Sequence, residues 1–106
     1  DVRGFCALRG VKFEAGFAEL SVMFLDDATL EEPLAREALD FALYRGFQYL
    51  GLRKLVAHAL TRETALRAFL VANGFASDGV QRDAYYGQGQ WQGLESLTRF
   101  APGRET

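Results

Sequence analysis

The chain has 106 residues, 49% of them apolar and 25% charged, ordinary proportions for a single small globule with a modest core. A net charge of -2 with no basic stripe argues against a phosphate-backbone binder, so no nucleic-acid partner is expected. No apolar run reaches the ~20 residues that span a bilayer, and no signal-peptide pattern opens the chain. Cys6 is the only cysteine, which rules out an internal disulfide and fits a reducing, cytoplasmic setting.

In chain order, Gly4 to Arg9 reads as a strand, Lys12 to Gly16 as a turn, and Ala18 to Phe24 as a second strand. Its alternation puts Ala18, Leu20, Val22 and Phe24 on one face and Glu19, Ser21 and Met23 on the other. Asp26 to Thr29 has helix-capping chemistry, and Thr29 with Glu32 matches a capping box. Pro33 fits only the first turn, so a helix is predicted to start between Leu30 and Pro33 and to run to about Tyr49. Leu34, Ala38, Leu39, Phe41, Ala42 and Leu50 supply an apolar stripe for it. Gly46 inside this helix costs roughly 1 kcal/mol relative to Ala, which predicts close packing on a sheet, and Gly51 suits the helix end.

Lys54 to Leu60 is the third predicted strand and Arg62 to Ala72 the second helix, closed by Asn73 and Gly74. Phe75 to Tyr86 and Trp91 to Phe100 then pair as a hairpin through Gly87, Gln88 and Gly89. Pro102 to Thr106 is read as a frayed tail of a single domain covering residues 1–106. The result is an α/β chain with a mixed, mostly antiparallel sheet in the order ββαβαββ. The chain opens at Asp1 directly before a strand, which reads as a trimmed or excised piece.

Glu37-Ala38-Leu39, then Leu50-Gly51-Leu52, Asn73-Gly74-Phe75 and the terminal hairpin follow one another at a spacing that resembles the C-terminal part of the GNAT acetyltransferase superfamily. The resemblance runs from Gly4 to Phe100 and is strongest to the ribosomal-protein alanine acetyltransferase branch. It implies the acyl-CoA N-acyltransferase fold without its N-terminal strand and two helices. It further implies acetyl transfer from acetyl-CoA to an amine on a small molecule or a protein N-terminus.

In such enzymes acetyl-CoA lies in a wedge between the two central strands, here Ala18–Phe24 and Lys54–Leu60, with its pyrophosphate at the start of the following helix. Unpaired N–H groups and partial positive charge at a helix start attract anions. The resemblance therefore implies pantetheine contacts from Val22, Met23, Phe24 and Leu25, and pyrophosphate contacts near Leu30, Leu34 and Ala35. The family loop is Arg/Gln-x-x-Gly-x-Gly/Ala, whereas Leu30-Glu31-Glu32-Pro33-Leu34-Ala35 keeps only Ala35. Glu31 and Glu32 are also ordinary helix-start carboxylates. Of the family's Asn-x-x-Ala-x-x-x-Tyr, the aligned positions are Glu63, Leu66 and Leu70, and Leu70 has no proton for a departing thiolate.

Glu19 matches a strand Glu that relatives use to take the amine proton, and His58, the only histidine, falls on the neighbouring strand. If they face the same side, they can form an acid/base pair; the alternative is a solvated or hydrogen-bonded pair on the sheet's less buried face. Cys6, among Phe5, Ala7 and Leu8, reads as an inert apolar thiol, and no metal site is expected. The alternative function is a non-catalytic binding or dimerisation module. A sheet without the usual covering helices favours a homodimer.

Overall fold

The computed structural model describes residues 4–24 and 26–103, so Leu25 and the last three residues of the expected tail lie outside the described residues. Five strands and two helices follow in the expected order: β1 (Gly4–Lys12), β2 (Phe17–Phe24), α1 (Pro33–Leu43), β3 (Lys54–Leu60), α2 (Thr64–Ala72), β4 (Ala76–Gly87) and β5 (Gln90–Phe100). The sheet order is β1-β2-β3-β5-β4. Only β2 and β3 run parallel; β1–β2, β3–β5 and β4–β5 are antiparallel.

Both helices are crossovers that step in the same direction across the sheet, and right-handed connections place them on one face. Alternation does the rest. Ala18 and Leu20 of β2, Leu55, Ala57 and Ala59 of β3 and Leu97 of β5 point to that face and are buried. They meet Ala35, Leu39, Ala42 and Leu43 of α1 and Phe69 and Leu70 of α2 in one core. The opposite face carries Arg9, Glu19, Met23 and His58, all partly or fully exposed.

Helix α1 differs from its expected stripe. Leu34 and Phe41 are 53% and 63% exposed, and the contact row is Ala35, Leu39, Ala42, Leu43 and Gly46. The small residues face inward because the helix sits close to the sheet: a Cβ on Gly46 would lie 3.1 Å from both methyls of Leu55. The helix also does not stay regular to Tyr49. Tyr44–Tyr49 forms a wider π turn, with Leu50 N–H on Arg45 O at 2.9 Å and Gly51 in the left-handed region.

The expected capping box is not used in that form. Asp26 Oδ1 accepts from the Thr29 N–H at 2.9 Å and its hydroxyl at 2.8 Å, which folds Asp27–Glu31 into a 3₁₀ turn. Glu32 then occupies the N-cap position, with Pro33 opening α1. The second helix closes as predicted at Gly74 (φ +90°), whereas Asn73 keeps a negative φ and its Nδ2 donates to Phe69 O at 2.7 Å. Gln88 and Gly89 both take positive φ, the signature of a two-residue type I′ hairpin turn. Among the described residues no helix is long and apolar enough to cross a membrane.

Candidate active site

The parallel ladder between β2 and β3 is short. It pairs Phe17 with Lys54, Ala18 with Leu55 and Glu19 with Val56, and then stops. Both strands continue, β2 to Phe24 held by β1, and β3 to Leu60 held by β5. The strands therefore part after Glu19, and the inner edge of Ser21–Phe24 is left without a strand partner. An unpaired strand edge offers backbone donors and acceptors to an extended ligand. A groove of about 420 Å³ occupies the parting, lined on one side by Glu19, Ser21, Val22 and Met23 and on the other by His58, Glu63, Leu66 and Leu94.

Glu19 and His58 meet at its vertex. His58 Nδ1 lies 3.1 Å from Glu19 Oε2, and each side chain is about one-third exposed. A third group joins them: Arg9 Nη2 donates to Glu19 Oε1 at 3.2 Å. Arg9 was not among the expected site residues. Its signal was available, since a hairpin turning around Glu14 sets Arg9 opposite Glu19, as the observed register does. The carboxylate thus has a cation on one oxygen and an imidazole on the other.

The remaining expected positions are distributed around this vertex. Val22 and Phe24 pack partly on the core, and Phe24 meets Phe69 edge-on at 6.4 Å between ring centres; Met23 is exposed. Leu25 lies outside the described residues. Glu63 staples the start of α2, its Oε1 accepting from the Leu60 N–H at 2.8 Å while its own N–H returns to Leu60 O. Leu70, which the sequence resemblance aligns with a Tyr, is fully buried. Burial pushes the half-buried Cys6 thiol up to about 11, which keeps it protonated and unreactive near neutrality.

The start of α1 borders a second groove, about 700 Å³, between the 3₁₀ turn and α2. Leu30 and Pro33 line it with Asp27, Glu31 and Glu32; among the described residues Arg36 is the one cation in that wall. Leu34 points outward, and the Ala35 N–H donates to Glu32 O at 3.1 Å. Glu32's own N–H goes to Thr29 O, and Pro33 has none. Among the described residues no cluster of three His, Cys, Asp or Glu is placed to hold a metal ion.

A mixed five-stranded sheet that opens between its parallel central strands, with both helices on one face, defines the GNAT N-acetyltransferase fold. Solved structures bear this out. A variant of the spermidine N-acetyltransferase SpeG from Vibrio cholerae superposes on all of this chain at a TM-score of 0.85 and 17% identity, with 61% of its own length covered. The spermidine/spermine N-acetyltransferase SpeG of the same organism, in complex with manganese ions, matches 94% of the chain at a TM-score of 0.82 and 18% identity, over 58% of its length. A protein assigned as a phosphinothricin N-acetyltransferase matches 95% at a TM-score of 0.79 and 22% identity, over 65% of its length. The chain thus spans less than two thirds of the length of these structures. No family model matches the sequence, and no curated protein does.

Proposed function

We propose that this chain is an N-acetyltransferase domain that moves an acetyl group from acetyl-CoA to an amine, with the β2–β3 parting as its site. The observation that carries the reading is the ladder ending at Glu19 and Val56, with the Glu19–His58 pair 3.1 Å apart at the opening. An extended pantetheine arm fits the unpaired edge of Val22, Met23 and Phe24, continuing toward Leu25, and its thioester end then lies near the pair. The adenosine diphosphate end runs toward Leu30, Leu34 and Ala35 at the start of α1, with Glu63 and Leu66 on the far wall.

Glu19 and His58 supply the acid/base function: removal of a proton from the acceptor amine so that its nitrogen can attack the acetyl carbonyl. The acceptor class is an amine on a small molecule or a protein N-terminus. Spacing of Glu37-Ala38-Leu39 before Gly51 favours the ribosomal-protein alanine acetyltransferase branch for this domain. Exposed Phe5 and Met23 on the sheet face without helices favour a homodimer, which light scattering would detect as twice the monomer mass.

One observation favours a second reading, a non-catalytic module of the same fold. Asp27, Glu31 and Glu32 line the groove where a pyrophosphate would sit, and Leu70 replaces the family's acid. Release of CoA from acetyl-CoA, followed with a thiol reagent across a panel of primary amines and N-terminal peptides, separates the two. Amine-dependent release supports the enzyme; background rates with every amine support the module.

A further inference from the structure

We infer that His58 Nε2, rather than Glu19, is the proton acceptor in this site, and that Glu19 and Arg9 act as positioning residues that hold the imidazole. The inference rests on the acetyltransferase reading and assigns roles within it.

The geometry of the three side chains leads to this assignment. A carboxylate only accepts hydrogen bonds, so the imidazole nitrogen facing Glu19 Oε2 at 3.1 Å is the one that bears a hydrogen. In the neutral ring that leaves Nε2 with the free lone pair. Among the described residues Glu19 is the only side chain in ion-pair contact with His58, whose ring lines the groove between the parted strands. Glu19 is differently placed. Its second oxygen takes the Arg9 guanidinium at 3.2 Å, so both of its oxygens already have partners. To act as base it would have to take up its proton on a carboxylate that the Arg9 guanidinium and the imidazole already contact.

The charged groups around the imidazole are Glu19 from β2, Arg9 from β1 and Glu63 from the start of α2; on the β5 side it pairs with neutral Ser96. In the step that follows, Nε2 takes one proton from the substrate ammonium group. The neutral nitrogen forms a bond to the acetyl carbonyl carbon, and the carbon–sulfur bond breaks. The amine's second proton ends on the departing CoA sulfur, and the imidazolium returns its proton to water. Atoms and charge balance without any further reactant. Leu70 is buried, so the thiolate is protonated by the substrate nitrogen or by solvent, not by a residue at that position.

The chain's single histidine makes the test direct. Long-range proton–nitrogen NMR on the intact chain, above the ring's titration midpoint, reads its tautomer. The expected result is the Nδ1–H form in the wild type and a mixture of forms in Glu19→Gln. In turnover assays, His58→Asn should lower kcat/KM by roughly 10²–10⁴-fold, the usual range for a lost acid/base group. Glu19→Gln should lose less than His58→Asn, and Arg9→Met up to about fivefold, as for an exposed ion pair.

An Nε2–H tautomer, or a Glu19→Gln loss larger than that of His58→Asn, overturns this assignment while leaving the acetyltransferase reading intact. A chain with the expected tautomer but no turnover of any amine overturns both.

Discussion

Arg67 Nε donates to Glu95 Oε1 across 2.7 Å and so ties α2 to the middle of β5. Glu95 is nearly buried. A hydrogen bond from Ser77 and then the Arg67 guanidinium hold its carboxyl below the ordinary range, against the opposing effect of burial. Such a group stabilises the fold above its unfolded pKa of ~4.3, and that contribution is lost as pH falls through the lower folded value. Arg67→Met should therefore cost about 1 kcal/mol at pH 7, a figure kept small because half of Arg67 is exposed to solvent. Thermal melts of both proteins from pH 7 to pH 3 check this: the gap in Tm should narrow below about pH 4.

Gly46 and Leu55 set how closely α1 approaches the sheet. Ala at position 46 would gain roughly 1 kcal/mol of helix propensity. Its Cβ, however, would meet two methyls of a fully buried leucine at 3.1 Å, and that side chain would have to shift within the core. Overpacking of this kind costs about 1–3 kcal/mol. Denaturant unfolding of Gly46→Ala should show a net loss of about 1 kcal/mol.

A tyrosine at position 70, where the sequence resemblance expects one, should not supply an acid. Leu70 is fully enclosed in the core between the sheet and α2, so Leu70→Tyr adds volume and a hydroxyl where neither fits. A loss of about 1–3 kcal/mol in urea unfolding is expected, with no gain in the rate of CoA release.

The acidic start of α1 should weaken CoA compounds by repulsion. Glu31→Gln with Glu32→Gln removes two of the three carboxylates from that groove wall. At surface dielectric each is worth about 0.5–1 kcal/mol against a nearby phosphate, so the double variant should bind acetyl-CoA roughly fivefold to thirtyfold more tightly. Wild-type affinity should also rise, rather than fall, as salt increases from 50 to 200 mM, since screening relieves repulsion.

The sequence made the elements legible wherever a local period or a turn residue decides them. Lys54–Leu60 forms the strand predicted there, with Leu55, Ala57 and Ala59 buried between half-exposed neighbours, and Gln88-Gly89 closes its hairpin. The helix face was misjudged at Leu34 and Phe41, where hydrophobicity misled, while close approach to the sheet, as Gly46 foretold, selected the smaller Ala35. The π turn at Tyr44–Tyr49 depends on how the chain is drawn down to Leu52 and the next strand, with Leu52 N–H on Gly46 O, which no helical period reveals. Glu19 and His58 were readable as neighbours because strand parity is local once β2 and β3 are adjacent. Arg9 depended on the exact β1–β2 register, and Arg67–Glu95 joins residues 28 apart through tertiary packing alone. Loop chemistry was legible as composition but not as hydrogen bonding: the Thr29 hydroxyl donates to Asp26, and Glu32 meets the Thr29 carbonyl instead.

The central claim is that the parted strands hold acetyl-CoA. Isothermal titration of the purified chain with acetyl-CoA, with Glu19→Gln and His58→Asn alongside, tests it most directly. The account predicts saturable one-to-one binding in the wild type, and affinity changed less than threefold in both variants, because those side chains handle the amine's proton rather than the CoA arm. No heat at millimolar acetyl-CoA would contradict it and leave the fold as a module that binds something else.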